Sequence, residues 1–360
     1  MRYADLKNDK TDLKTNMIRS VCIHLLFLSL IIVIKSLPVS GQELEWQAGV
    51  DGFLDNREFN NSVQLPQTMF GSGLKLEVGG NYDQFHRLRA GIHYIYEFGG
   101  EPDAIKPLPV IYYQFDHKPF DFFMGAFPRK ELLDYPLALL TDTLNYYRPN
   151  IEGAYLRYSG EWGYQNIFLD WTSRQTDTDF ERFIFGFSGR YNYQFLYFSH
   201  HFLMGHFARP RIPPPGFHLR DNGGFDLNLG ADISKFTFFD TLSFFAGALV
   251  SLDRIRHVYE GYETPAGFIA QLLMSYRGIG LQGTYYRGQG HEFLYGDSFY
   301  QATEYGRMDL FWQPFHEKHV RGKLVFSIHF IEQSIDYSQQ ILVSIDIGRA
   351  RSLGDSRKKE

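Results

Sequence analysis

Cysteine is all but missing from this chain of 360 residues: there is one, Cys22. It lies inside an N-terminal apolar run, mid-core and away from any cleavage point, so neither a lipid-anchored cysteine nor a disulfide framework is expected. Long hydrophobic runs are missing too. The longest, "CIHLLFLSLIIVI", follows Met17-Ile18-Arg19 and precedes Lys35. It is too short for a membrane-crossing helix but suits a secretory leader. "LPVSGQ" then offers Val39 and Gly41 as small residues for cleavage before Gln42, with Met17 an alternative start to Met1. A basic surplus is also lacking. Residues 1–41 hold six Lys/Arg against three Asp, so their removal takes the net charge from −5 to −8. That balance excludes a nucleic-acid partner.

Chemistry-bearing motifs are sparse as well. There is no H-E-x-x-H, no G-x-S-x-G and no paired Cys–His cluster, so no metal and no cofactor are expected. Gly278, Gly280 and Gly283 spell a dinucleotide fingerprint in letters, but "LQGTYYRGQ" continues as a strand where that motif needs a helix. His200 and His201 are neighbours and would point to opposite faces of a strand. Ser199 and His201 share a face, the only hint of a hydrolase. With nothing evident in the sequence to orient the histidine, a polar structural pair is the favoured reading, and no enzyme is expected.

What is present is aromatic residues and glycine: 34 Phe, 24 Tyr and 34 Gly. This mixture suits twisted strands and tight turns. Period-2 segments recur from Glu43 onward. "GLKLEVGGNY" sets Leu74, Leu76, Val78 and Tyr82 against Lys75, Glu77, Asn81 and Asp83. "HRLRAGIHYIYEF" sets Leu88, Ala90, Ile92, Tyr94, Tyr96 and Phe98 against Arg87, Arg89, His93 and Glu97. "RFIFGFSGRYNY" alternates Phe183, Phe185 and Phe187 with Arg182 and Arg190, and "FDLNLGADIS" sets Phe225, Leu227 and Leu229 against Asp226 and Asp232. Connections between segments alternate between short and long.

Alternation with ionised residues on one face and aromatics on the other fits a transmembrane barrel, apolar toward lipid and polar toward a wet lumen. The expectation is all-β: an antiparallel up-and-down β-barrel of about 16 strands, 14 to 18 at the limits. Its organisation would be an overhang and signal peptide at 1–41, an outer-membrane barrel at 42–349 and a charged tail at 350–360. Lys75, Glu77, Arg87, Arg89, His93, Glu97, Arg182, Arg190, Asp226 and Asp232 would face the lumen. Outer-membrane lipid is the implied partner.

One stretch breaks the alternation: "AFPRKELLDYPLALLTDTLNYYRPN", 126–150. Leu133, Leu137, Leu140 and Leu144 follow a helical stripe, with Asp134 placed to cap it and Pro149 to end it. It is the third long connection, between the fifth and sixth strands. Here the chain resembles the general porins of Gram-negative outer membranes, whose third loop folds into the lumen. It departs from them in lacking a terminal aromatic after its last strand. The resemblance implies passive diffusion of small polar solutes through a pore narrowed by 128–150, with Arg129, Lys130, Glu131, Asp134, Asp142 and Arg148 at the constriction, and a homo-oligomer, since porins are commonly trimers. A barrel plugged by the same loop is the alternative, and an outer-membrane hydrolase a more distant one.

Overall fold

The computed structural model describes residues 42–60, 63–101, 107–332 and 334–348; the leader expected at 1–41 and the tail at 350–360 lie outside them. Sixteen strands follow in order: β1 (Gln42–Glu58), β2 (Gln67–Tyr82), β3 (His86–Glu97), β4 (Leu108–His117), β5 (Phe120–Pro128), β6 (Asn150–Gly160), β7 (Gly163–Ser173), β8 (Arg182–Tyr193), β9 (Leu196–Phe207), β10 (Arg220–Asp232), β11 (Thr241–Ile255), β12 (Ala266–Tyr276), β13 (Ile279–Gly288), β14 (Glu304–His316), β15 (Val320–Ile331) and β16 (Ser334–Gly348). Each pairs with its neighbours in the chain, and β1 closes on β16 antiparallel from Gln47↔Gly348 to Glu58↔Tyr337. The result is a closed sixteen-strand up-and-down barrel with no free edge.

Burial runs opposite to that of a soluble sheet. Leu74, Leu76 and Val78 are 41, 44 and 57% exposed, whereas Glu77 and Arg89 on the other face are 3% exposed. Ile341, Val343, Ile345 and Ile347 on β16 are likewise outward and exposed. A wall that shows apolar side chains outward and buries ions inward is solvated by lipid, and the structure fits the outer membrane.

The start of β1, the end of β16 and most short turns share one rim. One two-residue turn, Arg277-Gly278, has positive φ at both residues (50° and 80°), as type I′ turns do, whose twist matches the flanking strands. Pro314 falls in the register shift between Trp312 and Phe315, where a missing N–H costs no ladder bond. Most connections at the opposite rim are long; among the described residues L3 (129–149) and L7 (289–303) turn inward, with Phe59 and Val63 of the first long connection packed beside them.

L3 is not the helix its leucine stripe predicts. Only one helical turn forms, α1 (Leu144–Tyr147), after a series of turns. Backbone groups that a helix would have satisfied are used across the lumen instead. Thr141 N–H donates to Tyr295 O at 2.7 Å, and Asp297 N–H to Leu137 O at 2.9 Å, zipping L3 to L7. Burial of Leu132, Ala138 and Leu139, each at most 1% exposed, thus comes from docking against another loop and the wall. Their cluster runs from Val110 and Phe123 through Ile184, Leu203, Leu249, Ile269 and Tyr286 to Ile331, with Phe293, Phe299 and Tyr300 from L7 at its centre. On the remaining side Phe53 stacks on Tyr146 at 4.6 Å, packed with Met69, Ile95 and Leu342. The lumen beneath the long-loop rim is therefore filled by a hydrophobic core.

Candidate active site

Inside the barrel most ionised wall residues are paired. Arg87 meets Glu45 and Asp116 at 3.4 and 3.3 Å; Arg89 meets Glu45 at 2.8 Å and Glu77 at 3.6 Å; and His93 lies 3.8 Å from Glu77. Lys75 pairs with Asp346 at 3.3 Å, and Glu97 accepts the Tyr147 hydroxyl at 2.8 Å. Arg182 stands exposed at the long-loop rim over the Phe180 ring, Arg190 lies 3.7 Å over the Tyr197 ring, and Asp232 accepts from Ser234 N in the next turn.

Charges of L3 serve mainly to pin it. Arg129 is 2% exposed, pairs with Asp170 and donates through Nε to Arg148 O at 3.1 Å. Lys130 reaches Asp51 at 2.7 Å, Glu131 pairs with Arg321, and Asp142 accepts from Arg57 and from Gln340, the latter at 2.8 Å. Arg148 donates to Thr172 O at 3.3 Å. Asp134 faces a chamber below the plug.

That chamber, about 370 Å³, is roofed by Asp134–Leu137 of L3 with Tyr300 and Tyr305, and walled by Tyr164, Arg190, Tyr197, Ser199, His201 and Asp226. Arg190 also lines the wide mouth at the short-turn rim, together with Asn192, Asp232 and Asp240, so the two spaces adjoin. In outer-membrane barrels the short turns face the periplasm.

The chamber brings together three residues that strand pairing places side by side. Ser199 and His201 are two apart on β9, hence on one face. On β10 they stand opposite Asn228 and Asp226 respectively. His201 Nδ1 lies 3.0 Å from Asp226 Oδ2, and Asn228 Nδ2 donates to the same oxygen at 2.6 Å. A carboxylate only accepts, so Nδ1 carries the proton and the lone pair of Nε2 is left for base chemistry. Asp226 is 1% exposed, which holds the imidazole in one orientation. The Ser199 hydroxyl has no side-chain hydrogen bond among the described residues. Tyr135 of L3 covers the site, its ring 5.6 Å from that of His201 and its hydroxyl donating to Phe202 O at 3.1 Å. Burial pushes the Tyr135 hydroxyl pKa upward, so it remains a neutral donor.

Other hydroxyl–base contacts fail on chemistry or space. His329 has both nitrogens engaged, by the Tyr305 hydroxyl at 2.8 Å and Ser338 Oγ at 3.1 Å, and the adjoining space is only about 20 Å³. Ser251 and His291, 2.8 Å apart, are both 1% exposed. Lys130, beside Ser344, is engaged as a donor by the Asp51 carboxylate at 2.7 Å. Among the described residues no group of three or more His, Asp or Glu is placed to hold a metal ion.

Solved structures with the same fold are outer-membrane proteins. A loop-deletion form of OmpT, an outer membrane protein of Vibrio cholerae, matches 86% of this chain and all of its own at 6% identity, with a TM-score of 0.53. An anion-selective porin from Comamonas acidovorans matches 85% of this chain and all of its own at 10% identity, with a TM-score of 0.50. At such identities these show the fold alone. No curated protein sequence matches. A family model does, over residues 38–348: the lipid A 3'-O-deacylase type. That match overturns the expectation of a barrel without enzymatic activity. The lack of a contiguous motif is no guide here, because residues that meet only through strand pairing leave no such signature. The chain belongs to the lipid A 3'-O-deacylase-type family.

Proposed function

We propose that this barrel hydrolyses an acyl ester in its lumenal chamber, on a substrate of the O-acylated, phosphorylated glycolipid class. The observation that carries this reading is the His201–Asp226 hydrogen bond of 3.0 Å beside Ser199 in a cavity roofed by L3. Ser199 Oγ attacks the ester carbonyl carbon while His201 Nε2 takes its proton, and the imidazolium is stabilised by Asp226. The proton then passes from Nε2 to the departing alkoxide oxygen, leaving an acyl-serine. Water, deprotonated by the same nitrogen, releases the fatty acid and regenerates the hydroxyl. The chamber's link to the short-turn mouth fits a substrate presented from the periplasmic side. The test is fatty-acid release from lipid A in mixed micelles by the purified protein: His201→Gln and Asp226→Asn should both lose activity, and full activity in His201→Gln would end the proposal.

Passive diffusion of small polar solutes past 128–150 is a second reading, supported by the charged wall around Asp51, Lys75, Lys130 and Asp346. Steady ion conductance of the wild-type protein in a planar bilayer would support it, and a silent barrel would not.

A further inference from the structure

The outer wall carries ions where lipid would be expected to exclude them. On β10 the alternation places Asn222 inward, bonded to Glu292 O and Leu294 N of L7. Asp221 therefore faces outward, in one row with Phe225, Leu227 and Leu229. Its register partners are His206 on β9 and Arg254 on β11, so both share that outward face. Asp221 accepts from His206 Nδ1 at 2.6 Å and from Arg256 Nη2 at 3.4 Å. Phe183 stacks on His206 at 4.8 Å, and Trp171 on Phe183 at 5.3 Å.

This cluster holds two guanidiniums and an imidazole against one carboxylate, so it is net positive. Arg256 is 47% exposed, and its single carboxylate contact is already shared with His206. Arg254 lies 5.7 Å from the Tyr262 ring, and its buried Nε has no hydrogen-bond partner. Charged side chains on the lipid face of a barrel are costly at mid-depth and are tolerated at headgroup depth, where an anionic partner can meet them. His206, Asp221 and Arg254 occupy the long-loop ends of β9, β10 and β11, and Arg256 follows β11 directly, beside an aromatic pair of the kind found at membrane interfaces. Guanidiniums with free donors suit phosphate oxygens, which they grip in pairs.

We infer that Arg254 and Arg256, with His206 alongside, form an external site for the phosphate of an outer-leaflet lipid headgroup, on the wall and apart from the lumenal chamber. The test is retention of bis-phosphorylated lipid A by the full-length barrel, read by native mass spectrometry, with heat-modifiable gel migration reporting folding. Wild-type protein should retain one lipid A in preference to its dephosphorylated form. Arg256→Gln should lower retention on the order of tenfold, one charge-assisted contact, and Arg254→Gln/Arg256→Gln further still. Asp221→Asn should raise it, since that carboxylate competes with phosphate for Arg256. Equal retention of the dephosphorylated lipid, unchanged retention in the folded double variant, or complete displacement by millimolar inorganic phosphate would each overturn the inference. All variants are also compared in a His201→Gln background, where the proposed chemistry is disabled and the lipid is not consumed, so that a loss confined to the Arg254 and Arg256 variants reports the wall site apart from the chamber.

Discussion

At Gly296 the backbone of L7 lies directly against that of L3, and Gly296→Val tests whether the contact of these loops seals the barrel. A Cβ at this position would stand 1.9 Å from Ala138 O and 2.7 Å from Phe293 Cβ, against ordinary contacts of 3.4 Å or more. The obstacle at 1.9 Å is backbone, so L7 has to retreat by more than an ångström. Two hydrogen bonds flank the contact, Thr141 N–H to Tyr295 O and Asp297 N–H to Leu137 O. Each contributes about 1 kcal/mol net. Partial exposure of Leu139 or Phe293 adds about 1–2 kcal/mol more. The docked state thus loses about 3 kcal/mol, roughly a hundredfold in the ratio of closed to open loops. Strand ladders are untouched, so the wall should survive. In planar bilayers the wild-type protein should be silent or nearly so, and Gly296→Val should show sustained conductance steps. Gly261→Val is the control, because a side chain there meets open space. A folded Gly296→Val barrel as silent as wild type, or equal conductance in Gly261→Val, would refute the reasoning.

Three further outcomes are expected. His201→Gln should reduce fatty-acid release by about 10²–10⁴-fold with little change in KM, as loss of a general base does; a fall in kcat/KM carried by KM alone would contradict the assignment. Arg129→Met leaves Asp170, 0% exposed, without its ion partner and should cost about 3–5 kcal/mol in urea unfolding, while Arg129→Met/Asp170→Leu should recover most of it. His291 on L7 has its pKa pushed down to about 4 by burial. Unfolding frees it to titrate near its ordinary value of about 6.5, so its contribution is complete above that pH and falls by about 1–3 kcal/mol as pH drops toward 4. Urea midpoints across this window should fall less steeply in His291→Gln than in wild type; parallel slopes would exclude the residue as a cause.

The barrel was legible in the sequence because period 2 is a local property. Leu74, Leu76 and Val78 against Lys75 and Glu77 state which way a strand faces without reference to any other strand. L3 was legible as a packed loop from its leucines and as an inward one from its resemblance to porins, but not as a non-helical one. The stripe at 133, 137, 140 and 144 satisfies a helix, and what defeats it is a partner loop far along the chain. That partner had its own signal: Phe293, Tyr295, Phe299 and Tyr300 are more aromatic residues than a solvated loop of L7's length has use for. The candidate site was half legible. Ser199 and His201 share a face by spacing, whereas Asp226 becomes the histidine's partner only through the β9–β10 register. The intervening loop, 208–219, is too long to announce that register, so orientation of the imidazole had no local signature.

The docking of L3 on L7 also constrains how the chain can be assembled. Leu137 and Asp297 come from opposite halves of the sequence, as do Gln47 and Gly348, which close the wall. Neither an early run of strands nor a late one can bury its own apolar lumenal surface. Until both halves are in the membrane together, Leu139, Phe293 and Phe299 face water. Contacts of such separation form slowly, and apolar surface exposed meanwhile is what holding chaperones bind. This barrel should therefore depend on such escorts more heavily than a water-filled barrel of equal strand number, and should mature in a single late step.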